Sequence, residues 1–576
     1  MRQNSSPERE ITKRIRIAFF ILLVASILLI GRLFFLQVVS GAYYKTQAER
    51  QQNFSQILTP RRGEIYLRER SEELIPVAST KEGYLLFINP KKLENPNDSF
   101  EKLSKVVLLD KADFFARASK KDDPYEVIAH HLDRALADRI VGLKLENVGI
   151  SPEEWRVYPA KNLASQVIGF LGYNNEDELE GRYGIERFFE DQLRGKTGSV
   201  SGSQSAGGIL LELGKRFFSP PEEGYSVVLT LEPNVEAFLE KKLKEIEQEW
   251  KPSGGGAIII EPKTGKILAM AAFPNFDPNT YGKSVSLDVF TNPLVESTFE
   301  FGSVFKPLTM AAGINEKIIT PETTYFDKGY LTLDGYTIRN FDEKGRGETT
   351  MQNVLSESLN TGAAFVAGKI GKENMRKYFG AYGLSEKTGI TLPGEVKGNL
   401  QNLNSTRDIE YATAAFGQGV SATPLEFARA ASALANGGKI MKPYIVERIV
   451  RPGREDIIFG PEEVRQVITQ ETAETVSRML VKVGDEALLG GKAKFKYWTA
   501  AAKTGTAQIA NKDGKGYSDQ YLHSFLAYAP GFDTRFLLFM YMEKPQGVRY
   551  ASASLGPYYE QIMQFLLTYY DVPPDR

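Results

Sequence analysis

Ser303-Val304-Phe305-Lys306 is the stretch on which the reading of this chain turns. A serine hydroxyl is a weak nucleophile until a base takes its proton. A lysine three residues further along a helix stands one turn away, on the same face. Gly302 before the serine permits a tight backbone. Pro307 after the lysine is tolerated only in a helix's first turn, so a helix is predicted to begin here. That start places the Ser303 hydroxyl at a positive helix terminus, which favours a developing oxyanion. Ser99-Phe100-Glu101-Lys102 has the same spacing, so the four letters alone identify nothing; the segments that follow do.

Ser358-Leu359-Asn360 is the only Ser-x-Asn in the chain. In an extended turn its hydroxyl and amide face one way, suited to relaying a proton and holding a substrate amide. Lys503-Thr504-Gly505-Thr506 comes third, after the apolar Thr499-Ala500-Ala501-Ala502. On a strand Lys503 and Gly505 face one side, Thr504 and Thr506 the other. The ammonium and hydroxyls favour a carboxylate, and Gly505 is expected to let a ligand backbone approach. Lys-Thr-Gly also occurs at Lys196, Lys263 and Lys387. Those copies read as the edge of a Ser/Gly-rich loop, a hairpin turn and a polar loop.

At 42% hydrophobic and 25% charged, the 576 residues carry enough apolar material for several folded cores. A formal net charge of -1 provides no basic field for nucleic acid. The absence of cysteine excludes disulfides and thiol catalysis, and His130, His131 and His523 are the only histidines, so no metal site and no cofactor are expected. Residues 17–39 form an apolar run long enough for one bilayer crossing, interrupted by Arg32 near its far end. A cleaved signal peptide is the competing reading; the run exceeds a typical signal core and no small-x-small cleavage pattern follows it closely. Arg2, Arg9, Lys13, Arg14 and Arg16 precede the run, against Lys45 and Arg50 after it, so the N-terminus is expected inside and the rest outside. The expected organisation is a cytoplasmic tail (1–16), a transmembrane helix (17–39), an N-terminal domain (40–250) and a C-terminal α/β domain (251–576). In the last, strands at 257–261, 266–272, 499–509, 524–529 and 536–542 flank a helical and loop region spanning 300–480, and a helix closes it at 557–569. Residues 41–55 read as helix-like, 226–231 as a strand, 233–250 as an amphipathic helix, and Gly198–Gly208 as a mobile loop.

The ordered trio resembles the penicillin-recognising serine acyltransferases. The wider match is to class B penicillin-binding proteins. Asn292-Pro293-Leu294-Val295 and Phe299 through Pro307 resemble their nucleophile segment. Thr264 through Met270, Phe276-Asp277-Pro278-Asn279, Phe416-Gly417-Gln418-Gly419, Thr423-Pro424-Leu425, Ala435-Asn436-Gly437-Gly438 and Lys503 through Gln508 are similar to other family segments. Arg62-Gly63-Glu64-Ile65, Gly184-Ile185-Glu186 and Gln192-Leu193-Arg194-Gly195 resemble the family's pedestal domain. The resemblance implies a multi-domain α+β protein: a serine β-lactamase-like transpeptidase domain with an antiparallel sheet flanked by helices, an elongated pedestal and one membrane helix. It implies Ser303 as nucleophile, Lys306 as general base, Ser358 as proton shuttle, Asn360 as holder of the acyl chain, and Lys503, Thr504, Gly505 and Thr506 as the carboxylate-binding strand. The Ser303 and Thr506 amides would form the oxyanion hole. The implied substrates are peptidoglycan stem peptides on a lipid-linked precursor, with β-lactams as covalent inhibitors. The implied membrane partner is a SEDS-family glycosyltransferase, in either division or elongation. A non-catalytic scaffold or β-lactam sensor, and a D,D-carboxypeptidase, are the alternatives. Phe301 stands where the family usually has proline, and Ala502 where it has glycine; both are expected to reshape the pocket. Leu67 replaces a common aspartate of the pedestal.

Overall fold

The computed structural model describes residues 7–41, 44, 53–176, 178–204, 210–211, 217–284, 286–511 and 516–576. They divide into two units, residues 1–61 with 195–223 and residues 62–194 with 224–576.

The first unit contains the helix Pro7–Phe34, which continues as a wider π turn over Phe35–Val39. Residues Ile11–Val39 are long and apolar enough to cross a bilayer, and none of that window is buried in protein. In the same unit Gly198–Gln204 pairs antiparallel with both Asn53–Leu58 and Phe217–Ser219. The expected loop over 198–208 is therefore a strand as far as Gln204; neighbours on both sides supply the order its Ser/Gly composition lacks. Residues 205–208 lie outside the described residues, as do 42–43 and 45–52 with Lys45 and Arg50. The helix-like reading of 41–55 gives way to a strand at Asn53.

In the second unit a mixed sheet joins distant segments. Ile65–Arg68 pairs with Leu74–Ile88, which pairs with Glu126–Leu132 and Val148–Val157. Ser226–Leu229 runs parallel to Ile65–Arg68 and antiparallel to Val446–Val450. This sheet crosses the expected boundary near 250. Beside it Glu186 is fully buried, 2.7 Å from both Arg62 and Arg156. Burial alone would raise its carboxyl, but the Arg156 and Arg62 charges outweigh that and hold it below its ordinary value. Two of the pedestal-like segments thus meet in one ion cluster.

The sheet that carries the site has five antiparallel strands: β1 (Gly254–Ile260), β2 (Ile267–Phe273), β3 (Ala501–Ala510), β4 (Tyr517–Ala529) and β5 (Phe536–Glu543), in the order β2-β1-β5-β4-β3. Ala257-Ile258-Ile259-Ile260 is apolar at every position because both faces are covered. Ala257 and Ile259 cluster with Val235 and Leu239 of the helix Pro233–Trp250 and with Tyr559 and Leu566 of the C-terminal helix. Ile258 and Ile260 join a second cluster containing Phe301, Leu308, Phe427 and Met479. The C-terminal helix spans Ala551–Tyr569, so Pro557 lies inside it rather than at its start. The region 300–480 also holds strands not expected there. One hairpin, Tyr330–Leu333 with Tyr336–Arg339, turns at Asp334-Gly335, both with positive φ.

Candidate active site

Gly302–Phe305 is a single tight helical turn leading into α1 (Lys306–Asn315), with Pro307 in the first turn as predicted. Two neighbours clamp this turn. The Gly302 N–H donates to the Gly417 carbonyl at 3.2 Å. Gly417 has φ +77°, and a Cβ there would lie 2.3 Å from the Gly302 oxygen. On the other side, a Cβ on Gly302 would be 3.1 Å from that of Ala507 on β3. Ser303 is thereby held between the Phe416–Gly419 segment and β3. Phe301 is fully buried, its ring against Phe299, Phe427, Phe539 and Tyr541. Its carbonyl accepts from Ser524 Oγ at 2.7 Å. The unexpected phenylalanine thus anchors the nucleophile turn in the core instead of reshaping the pocket.

Lys306 is fully buried. Its Nζ donates to the Ser358 carbonyl at 2.5 Å and to Asn360 Oδ1 at 2.9 Å, and lies 3.2 Å from Ser358 Oγ. Lys503 Nζ lies 2.9 Å from the same Ser358 Oγ. One hydroxyl therefore stands between two buried amines. Ser358 reaches this place with φ +55°, and Asn360 opens the helix α2 (Asn360–Ile370). Asn360 Nδ2 donates to the Arg339 carbonyl, fixing the amide so that its oxygen faces Lys306. Burial, and then the charge of Lys503, hold Lys306 well below its ordinary value; burial pulls Lys503 down to about 7. A lowered amine gives up its proton more readily, and its unprotonated form has a lone pair to take one. The Ser303 hydroxyl makes no hydrogen bond among the described residues.

Strand β3 is the edge of the sheet, so its outer row of backbone groups can pair with an extended peptide. Lys503, Thr504 and Thr506 line a cavity of about 820 Å³ together with Ser303, Ser358 and Asn360. Gly505 also has a structural role. A Cβ there would lie 2.3 Å from Ser524 Oγ, 2.4 Å from the Phe301 carbonyl and 3.3 Å from the Ser303 nitrogen. The backbone it admits in this structure is the chain's own nucleophile turn. Several of the other copies have structural partners, and in the copy at Lys387 it is Thr388 that bonds Glu395. Ser99 is buried and Lys102 pairs with Asp98, while Lys196 pairs with Glu222 and Lys263 with Asp533.

Sequence reasoning missed part of the cavity wall. The hairpin at 330–339 supplies Tyr336 and Arg339, and Tyr517, hydrogen-bonded to Glu300 at 2.9 Å, adds another side. Asp334-Gly335 between alternating apolar residues was the available hairpin signal.

Residues 255–564 match the family model of the penicillin binding protein transpeptidase domain, and residues 57–229 that of the penicillin-binding protein dimerisation domain. The chain is 31% identical to stage V sporulation protein D of Bacillus subtilis, over 98% of this chain and 87% of that protein. It is 28% identical to the peptidoglycan D,D-transpeptidase FtsI of Buchnera aphidicola subsp. Baizongia pistaciae, over 98% of this chain and 96% of that one. The crystal structure of penicillin binding protein 2X from Streptococcus thermophilus shares the fold, with a TM-score of 0.74 at 20% identity, covering 89% of this chain and 80% of that one. A transpeptidase match over more than half the chain, a dimerisation-domain match before it and full-length relatives together establish that this chain belongs to the penicillin-binding protein transpeptidase family.

Proposed function

We propose that this protein is a serine-type peptidoglycan D,D-transpeptidase, acting through a Ser303 acyl-enzyme. The observation that carries the reading is the meeting of Ser303, Ser358, Asn360, Lys503, Thr504 and Thr506 around one cavity, with the neutral-prone Lys306 amine hydrogen-bonded to Ser358 and Asn360. A stem peptide ending in D-Ala-D-Ala lies along the outer edge of β3. Its terminal carboxylate meets Lys503, Thr504 and Thr506. Lys306 takes the Ser303 proton as Oγ attacks the penultimate carbonyl, and the Ser303 and Thr506 amides stabilise the oxyanion. Ser358, between the two amines, passes a proton to the leaving D-Ala nitrogen as the C–N bond breaks. The amine of a second stem peptide then attacks the ester, releases Ser303 and forms the crosslink. A β-lactam enters the same way but its leaving group stays tethered, so the acyl-enzyme persists.

The same reading places residues 1–16 in the cytoplasm, 17–39 across the inner membrane, and the pedestal (40–250) and transpeptidase domain (251–576) outside. A SEDS-family glycosyltransferase is the partner that supplies glycan strands on the lipid-linked precursor. The test is a reaction with nascent peptidoglycan, scoring crosslinked dimers against free D-Ala. Dimers that disappear with Ser303→Ala support the reading. Free D-Ala without dimers makes the protein a carboxypeptidase, and neither product from folded protein makes it a scaffold.

A further inference from the structure

We propose that His523 is a positioning residue for carboxylate recognition, acting through the hydroxyl of Thr506; the inference rests on the transpeptidase reading above. His523 lies on β4 directly opposite Thr506 of β3 and is fully buried. Its Nε2 is 3.1 Å from the Arg549 carbonyl, and its Nδ1 is 2.8 Å from Ser554 Oγ. A carbonyl only accepts, so Nε2 carries the proton, and Nδ1 accepts from the Ser554 hydroxyl. Burial pulls this imidazole down to about 4, so it is neutral in ordinary conditions and the two roles are fixed.

These two bonds bracket Ala551, the first residue of the C-terminal helix. An N-terminal helical N–H needs a partner from outside the helix, and Tyr550 before it offers no side-chain cap. The Ala551 N–H instead donates to Thr506 Oγ1 at 3.2 Å. Thr506 thus caps the helix from the neighbouring strand, with a lone pair. Its O–H hydrogen is left to donate, and the cavity it lines is where the reading above seats a carboxylate. With His523 removed, the Arg549 carbonyl loses its donor, and Ser554 Oγ is left with the Ala551 carbonyl at 3.4 Å. Ala551 is then free to drift, and the Thr506 hydroxyl to turn away from the cavity.

The test compares acylation of the full-length, detergent-solubilised protein by benzylpenicillin, which carries a carboxylate, and by its methyl ester, which does not. His523→Leu is expected to slow acylation by the acid about tenfold while leaving the ester within about twofold. His523→Gln, whose amide can still donate to Arg549, should recover most of the loss. Thr506→Val should show the same selective loss, with little added by His523→Leu on top of it. Equal losses for acid and ester, or additive losses in the double variant, overturn the inference. If His523→Leu does not fold, Ser554→Ala carries the same test, and an unchanged acid-to-ester ratio overturns it. Wild-type protein that folds but does not react with benzylpenicillin overturns the transpeptidase reading, and this inference with it.

Discussion

Lys503 puts its amine inside the fold with Ser358 Oγ at 2.9 Å and the Thr504 carbonyl at 3.1 Å, and no carboxylate hydrogen-bonds it among the described residues. Burial pulls it from 10.5 to about 7. At about 1.4 kcal/mol per pH unit, charging this amine in the folded protein costs about 5 kcal/mol more than in the unfolded chain. The folded value is the lower one, so between about pH 7 and 10.5 the unfolded chain binds the extra proton. Stability therefore rises with pH across that window, and the cost is fully present below it. Lys503→Met removes the charge at similar volume and loses two hydrogen bonds worth about 1 kcal/mol each. The net gain is about 3 kcal/mol at pH 6 and close to zero by about pH 9, where the remaining cost is only about 2 kcal/mol. The same variant loses the cation that meets the ligand carboxylate, so benzylpenicillin acylation should fall by about 10–100-fold. Thermal melts of wild type and variant at pH 6 and pH 9, with labelling in parallel, measure both effects. A variant less stable than wild type at pH 6, or a stability difference that does not change with pH, refutes the electrostatic reasoning. Undiminished acylation refutes the recognition role.

Lys306→Met should slow acylation about 10²–10⁴-fold with the fold intact, as expected for loss of a general base. In the wild type the rate should fall on the acid side as Lys306, held low by burial and then by Lys503, takes up its proton; an acylation rate that does not fall as pH is lowered over the range where the protein stays folded contradicts this role. Phe301→Ala empties a fully buried site among four rings and should cost about 3–5 kcal/mol, read as a lowered unfolding midpoint in denaturant. Gly505→Ala should nearly abolish labelling, because its Cβ would meet the Phe301 carbonyl at 2.4 Å and push the nucleophile turn off β3; labelling within about twofold of wild type would show that the turn adapts.

Local signals carried most of what the sequence disclosed. Pro307 and the Ser303–Lys306 spacing located the helix start, and the all-apolar run at 257–260 located a central strand of the sheet. Pairings between distant segments were not legible. Nothing near Val446–Val450 says that it will pair with Ser226–Leu229, and nothing near Lys306 says that its amine will be held by Ser358 and Asn360. Gly505 was correctly read as a site of close approach, but which backbone approaches depends on a turn two hundred residues earlier. The closing helix, read from 557, begins six residues earlier at Ala551, with Pro557 inside it. The Ser/Gly composition of 198–204 hid a strand whose order comes from its neighbours.

The central claim is that Ser303 forms the acyl bond. Incubating the full-length protein with benzylpenicillin and locating the adduct by peptide mass spectrometry tests it most directly. A single penicilloyl group on Ser303, absent from a folded Ser303→Ala variant, is the predicted result. An adduct on another residue, or no adduct on cooperatively folded wild-type protein, would contradict the account.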